Sequence, residues 1–442
     1  MENFSKAEIL QMVEEEDVEF IRLQFTDMFG AMKNVAITSS RLLKAMDNRC
    51  MIDASSVEGV LRNQERELYL YPDLSTFTIL PWRPQQGKVA RFLCDLYTED
   101  GQLYGESPRS ILRRAVEKAA DLGYTLQVNP ECEFFLFHTD DNGMPTTITH
   151  EQAGYLDTSP VDLGENARRD IILTMEEMGY EVESSHHEIA PAQHEVDFHF
   201  DDALKTADKL MTFRLAVRTV AKRYGLHATF MPKPRAGVNG SGMHVNMRLM
   251  KAGKNVFQGE GENLVSPEGY SFMAGLLEHI QGMTAVMNPL VNSYKRLAPG
   301  FEAPSDITWS RTQRTSLIRV QKYRGSQTQL ELRSPDSAAN PYLVFALCLE
   351  AGLDGIARGL EAPPELTESL RNMSPEEKRE KGIHSLPQNL GEALYLMDRE
   401  ELTKKVLGDT FTRRYIRYKK EEWNSYMEQI SEWELKQYLY RI

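Results

Sequence analysis

The stretch ECEFFLF, residues 131–137, sets two carboxylates one residue apart in an apolar run. Alternate side chains of a strand share a face, so Glu131 and Glu133 point into one space and Cys132 and Phe134 into the opposite one. Three further segments keep the same period. HEVDFHF (194–200) alternates Glu195, Asp197 and His199 with apolar residues. MHVNMRL (243–249) alternates His244, Asn246 and Arg248, and QLELR (329–333) alternates Glu331 and Arg333. SSHHEIAP (184–191) adds Glu188. Each strand alone reads as a sheet with one solvated face. As a set they imply a barrel or funnel with a polar interior.

Convergence of Glu131, Glu133, Glu188, Glu195 and Glu331 would be costly, because two unit charges 4 Å apart repel by about 4 kcal/mol at an effective dielectric near 20. Divalent metal removes that repulsion. An oxygen-rich set with the single imidazole of His244 suits magnesium or manganese, not a thiolate-seeking metal. Five carboxylates can hold two such ions, and paired ions imply chemistry on phosphates. Arg296, Arg314, Arg319 and Arg333 follow in the second half of the chain and suit bidentate anion binding. The segment KPRAGVNGSGMH (233–244) is glycine-rich. It has neither the GK[ST] ending of a P-loop nor a GxGxxG turn, so its glycines are read as close backbone approach to a small ligand.

These residues need elements to position them. Residues 5–16 read as a helix, FIRLQFTDMFG and MKNVAI as two strands about a turn, and residues 88–104 as strand, acidic turn, strand. Ser107 and Pro108 open a helix that Gly123 stops, and further helices are expected over 166–179 and 203–225. From Ser374 the chain is charged, aromatic-rich and helical in pattern. The expected division is residues 1–105, a small mixed sheet, and 106–442, which mixes strands with long helices.

The chain has 442 residues, 41% hydrophobic and 26% charged, with a net charge of −14. Such a balance argues against nonspecific binding to nucleic acid or anionic membrane. Cys50, Cys94, Cys132 and Cys348 are far apart with no CxxC pair, which suggests reduced cytoplasmic thiols. The N-terminus lacks a signal-peptide pattern, and the longest apolar run is broken by Glu350.

NGSGMH, NSYKRLAPGFEAP, ELRSPDSAANPYL and SSHHEIAPAQHE resemble type I glutamine synthetase, in its shorter Gram-positive-like form. The likeness runs from RLQFTDMFGAMKNV to the C-terminal helices. It implies an α+β fold: a β-grasp N-terminal domain, and a catalytic domain whose curved antiparallel sheet, a half-barrel, is flanked by helices. It implies ATP-dependent ligation of ammonia to the side-chain carboxylate of L-glutamate. By the resemblance, Glu133, Glu188 and Glu195 match one metal site, and Glu131, His244 and Glu331 another. Asn239, Gly240 and Arg296 match glutamate-binding positions. Arg314, Arg319 and Arg333 match phosphate-binding ones, and Glu183 and Asn246 lie near the nucleotide. Asp53 matches the acid that deprotonates ammonium, with Tyr155 nearby, and Glu302 a mobile flap glutamate. Arg62 matches an arginine tied to glutamine feedback inhibition. The resemblance also implies a dodecamer of two stacked six-membered rings with shared sites.

Some positions depart from the family pattern. Ala54 replaces a glycine, Arg248 a small polar residue, and Gln329 a common arginine. KGIHSLP (381–387) lacks the tyrosine that some relatives have adenylylated. The alternatives are a same-fold ligase joining glutamate to a polyamine or other amine, and a non-catalytic nitrogen-sensing relative. A nitrogen-regulatory protein partner is left open.

Overall fold

The protein was examined as a computed structural model, which describes residues 4–57, 59, 67–83, 86–260, 264–298, 300, 302–322, 327–370 and 373–442. The first helix, Lys6–Glu15, begins at a capping box in which the Ser5 hydroxyl and the Glu8 carboxylate each accept the other residue's backbone N–H. Beyond it the sheet order is Met32–Thr38, Val18–Thr26, Lys88–Tyr97, Glu67–Pro72, Cys50–Asp53. Val18–Thr26 and Lys88–Tyr97 run parallel, and the other pairs in this order are antiparallel. Ile9, Val13, Leu23, Leu68 and Phe92 bury a core of their own between sheet and helix.

The expected strand–turn–strand over 88–104 is corrected. After the strand Lys88–Tyr97, the return segment makes a single-residue bridge, Tyr97 with Leu103. The Tyr104 ring is then buried, and the chain turns away into the helix Pro108–Asp121.

The second sheet has ten strands. Its main order is Trp309–Ser310, Ile318–Gln321, Gln329–Leu332, Met243–Lys251, Tyr124–His138, Gln193–Phe198, Val182–His187. All these pairs are antiparallel except the first. The strand Tyr124–His138 is its spine, and Asp201–Asp202 and Leu226–Thr229 also pair with it. The apolar face packs Phe134, Val196, Val245 and Leu330 into one large core with the helices Ala203–Arg223, Pro267–Met287 and Pro341–Arg358. The polar face is the concave side and is left free for chemistry. Five helices follow, from Pro375–Glu380 to Glu432–Tyr438. Among the described residues no helix is long and apolar enough to cross a membrane.

A buried guanidinium joins the first sheet to the core helices. Arg109 donates to Asp95 at 2.8 Å, to both oxygens of Asp208 at 3.0 and 2.8 Å, and to Asp73 at 2.8 Å. Tyr342 adds a 2.6 Å bond to Asp208. Asp73 and Asp95 belong to the first sheet and its loops, while Asp208 and Tyr342 lie on core helices. Arg113 also reaches Asp95 at 2.7 Å, but removing Arg109 leaves the buried Asp208 without its cation. Arg109→Leu is expected to lower unfolding free energy by about 3–5 kcal/mol in denaturant titration. A loss under about 1 kcal/mol, the range of an exposed pair, would contradict this role.

Candidate active site

Register places the polar residues before any ligand is considered. Directly opposed residues of an antiparallel pair project to the same face. Glu131 stands opposite His244 on one side and Asp197 on the other, and Glu133 opposite Glu195. Glu195 in turn faces His186, and Glu331 faces both Asn246 and Arg319. The acidic face of the central strand ends after Glu133. Phe135 and Phe137, the next residues on that face, stack 5.3 Å apart and pack on Ala190 and Ala192 as an apolar wall.

The result is a cavity of about 390 Å³. Glu131, Glu133, Glu188, Glu195, His244 and Glu331 all line it. So do Arg296, Arg314, Arg319 and Arg333, together with Tyr155, Asn239, Gly240 and Glu302. Asn246 and Glu183 lie just beyond. Asn246 donates to Glu131 at 2.9 Å, and Asn129 to Glu183 at 2.9 Å. Asp53 does not join them: it is exposed on the first sheet, its carboxylate accepting the Ser55 N–H at 2.9 Å and hydroxyl at 2.6 Å. Arg62 lies outside the described residues.

The glycine loop fits against the cavity through close contact. A side chain on Gly240 would meet the Pro232 carbonyl at 2.1 Å, and one on Gly242 would meet Arg296 Nη2 at 2.5 Å and His244 Nε2 at 3.0 Å. Gly242 also donates its N–H to Glu133 at 2.9 Å. Gln193 Nε2 donates both to Glu133 at 2.7 Å and to the Gly240 carbonyl at 3.1 Å, joining loop to carboxylate. Arg296 is buried and donates to the backbone carbonyls of Ser334 at 2.8 Å and Arg333 at 3.1 Å.

The ligand-type atoms fall into two groups, each within 4.8 Å. One is Glu131, His244 and Glu331, and the other His186, Glu188 and Glu195. His186, which sequence reasoning did not single out, stands in the second group, 3.2 Å from Glu188. It stands directly across from Glu195 on the neighbouring strand. Gln321, two residues after Arg319, likewise went unnoticed; it lines the cavity and hydrogen-bonds Glu331. Asp197, two after Glu195, crowds Glu131 from the far side.

The electrostatics fit divalent cations. Burial, then the charge of Glu188, pushes the Glu133 carboxyl up to about 8. Burial, then Asp197 and Glu131, holds Glu195 well above the carboxylate range. Burial and Glu131 raise Asp197 to about 6. Burial, then Arg333, holds His244 far below the usual imidazole value, so it is neutral as a metal ligand must be. Glu331, fully buried, accepts from Arg319 at 3.0 Å and also from Arg333. The Nε atoms of Arg319 and Arg333 are buried with no protein partner. Carboxyl groups raised as Glu133 and Glu195 are, a neutral imidazole and guanidiniums with spare donors together suit metal ions bound alongside phosphates.

Sequence comparison gives the family. The pattern described as "Glutamine synthetase, beta-Grasp domain" matches residues 17–99, and "Glutamine synthetase, catalytic domain" matches 105–438. The chain belongs to the glutamine synthetase family. It is 54% identical over 440 residues to the glutamine synthetase of Clostridium saccharobutylicum, covering 99% of each chain. It is 48% identical over 438 residues to that of Staphylococcus aureus, covering 99% of this chain and 98% of the relative. A solved GmaS/ADP complex superposes with a TM-score of 0.88 at 31% identity, over 97% of this chain and 99% of the other. The expected β-grasp and half-barrel architecture agrees with these matches.

Raised carboxyl pKa values have a direct consequence. Groups such as Glu133 hold protons at neutral pH in the metal-free protein, and a metal ligand must release them. Calorimetric Mn²⁺ titrations at pH 7, in two buffers of different ionisation heat, are expected to show proton release. Affinity is expected to rise from pH 6.5 to 8.5. Equal heats in both buffers, with affinity flat over that range, would contradict the assignment.

Proposed function

We propose that the protein is a glutamine synthetase, joining ammonia to the side-chain carboxylate of L-glutamate at the expense of ATP through a γ-glutamyl phosphate. The observation that carries this is the single cavity holding two ligand groups and four arginines, in a chain about half identical to named glutamine synthetases. A carboxylate resists amination because oxide is a poor leaving group. Transfer of the γ-phosphoryl to it creates an acyl phosphate that ammonia can attack.

Two or more Mg²⁺ or Mn²⁺ ions fit Glu131, His244 and Glu331 on one side and Glu133, Glu188 and Glu195, with His186, on the other. Bound there, they supply positive charge to the phosphates. The chain's own groups do the rest. Arg314, Arg319 and Arg333 neutralise the phosphoryl group in transit. Buried Arg296, with Asn239 and Gly240, holds glutamate by its α-carboxylate and amine end. Glu183 and Asn246, beyond the first ligand group, face the nucleotide. Glu302 closes over the acyl phosphate and limits hydrolysis. Tyr155, Glu302 and Asp53 gather ammonium, and Asp53 takes its proton.

Asp53 reaches a cavity only if a neighbouring subunit presents it. Exposed apolar residues support this. Met51 lies beside Asp53, and Tyr155, Leu156 and Ile189 lie near the cavity. Trp433, Leu439 and Tyr440 of the C-terminal segment are also exposed. A head-to-tail ring buries the first two patches, and a second ring the third, giving a dodecamer with sites shared between one chain's residues 1–105 and another's 106–442. Control by glutamine through Arg62, and a cytoplasmic setting for the four free thiols, belong to the same reading.

The direct test is phosphate release with ATP, Mg²⁺ and glutamate, comparing ammonium with a panel of amines. Ammonium is expected to be used best, and Glu188→Ala to abolish turnover. Preference for a polyamine, or turnover unaffected by a strong chelator, would overturn the assignment. Sharing is tested by mixing. Asp53→Ala and Arg314→Ala, each nearly inactive, should regain activity when unfolded and reassembled together. No recovery in oligomers shown by mass to hold both variants would mean that each chain builds its site alone.

A further inference from the structure

Behind the cavity wall lies a second, wholly buried cluster. Glu151, Asp162, His187 and His194 bring side-chain atoms within 4.8 Å of one another. Their types resemble a metal site, but their bonding does not. His187 Nε2 lies 2.7 Å from Glu151 Oε1, and its Nδ1 lies 3.0 Å from the Gly154 carbonyl and 2.6 Å from the Glu188 carbonyl. Glu151 also accepts the backbone N–H groups of Ala192 and, at 2.8 Å, Leu163. Every partner of His187 is therefore an acceptor, and both ring nitrogens carry protons. Arg168 donates to Asp162 at 2.7 Å and to His194 Nδ1 at 2.8 Å, which leaves His194 neutral. Two carboxylates meet one imidazolium and one guanidinium. The charge closes without a metal ion, and both His187 nitrogens are already occupied.

The cluster instead grips the cavity from outside. His187 holds the carbonyl of Glu188 through its ring. It also holds the loop that carries Tyr155 from both sides, through the Gly154 carbonyl and through a 3.0 Å bond from the Leu156 N–H to its own carbonyl. His194, bonded to Arg168, immediately precedes Glu195. None of Glu151, Asp162, His187, Arg168 or His194 lines the cavity.

We propose that the buried Glu151–His187 ion pair is a positioning device that fixes Glu188 and the Tyr155 loop as one unit. Cation binding at the His186, Glu188 and Glu195 group then depends on it, while binding at Glu131, His244 and Glu331 does not. The proposal rests on the metal reading given above. Partners of this kind, one bond behind a ligand, set metal affinity by orienting it, and their loss costs about 10–100-fold.

The test is Mn²⁺ binding to the full-length protein without substrates, followed by the electron paramagnetic resonance signal of free Mn²⁺. Wild type is expected to show two classes of site. Glu151→Gln should weaken one class by about 10–100-fold and leave the other unchanged. A merely structural defect would lower the melting temperature and weaken both together. The double variant Glu151→Gln with His187→Gln removes both charges and leaves none unpaired, so it should lose less affinity than Glu151→Gln alone. If the single variant does not fold, the double variant decides: one class weakened supports the proposal, and both classes at wild-type affinity overturn it. A folded Glu151→Gln with both classes unchanged, or equally weakened, also overturns it. Wild-type protein that takes up no Mn²⁺ overturns the metal reading itself, and this proposal with it.

Discussion

The structure depends on one electrostatic constraint, the crowding of carboxylates on the concave face of a single sheet. Glu131, Glu133, Glu195, Asp197 and Glu331 are forced together by strand register, not by loop flexibility. Backbone hydrogen bonds hold that register, so the side chains cannot relax their repulsion by drifting apart. They shed it by taking up protons, by pairing with arginines, or by binding cations. Divalent cations relieve crowding of this kind, and arginines such as Arg319 and Arg333 beside the carboxylates complement phosphates.

The surrounding parts take separate tasks. The sheet fixes ligand positions through the shared core beneath it. The glycine loop brings backbone close enough for Gly242 to bond Glu133 while leaving room for Arg296. Arg109 fastens the first sheet to the core helices.

Much of this was legible in the sequence because strands have a period of two. The i, i+2 spacing of Glu131 with Glu133, and of Glu331 with Arg333, was enough to place them on a common face. What escaped notice depends on register between strands, which one sequence does not display. His186 belongs with Glu188 and Glu195 because it stands directly across from Glu195. Arg248 and Gln329, two separate departures from the family pattern, are cross-strand neighbours: Arg248 donates to Gln329 at 3.1 Å and stacks on Phe200 at 3.8 Å. The Glu151 cluster was invisible for a different reason, since its members come from loops and two strands with no common spacing. The turn at Asp100 and Gly101 forms as its residues signal, but the return segment pairs only through Leu103 before Tyr104 is buried and the next helix begins.

The central claim, that the carboxylate face is built for divalent cations, is tested most directly by anomalous diffraction from crystals grown with Mn²⁺. The account predicts one peak bounded by Glu131, His244 and Glu331, a second bounded by Glu188 and Glu195, and none in the buried cluster of Glu151 and His187. Crystals with no anomalous density in the cavity, or with density among Glu151, Asp162 and His194, would contradict it.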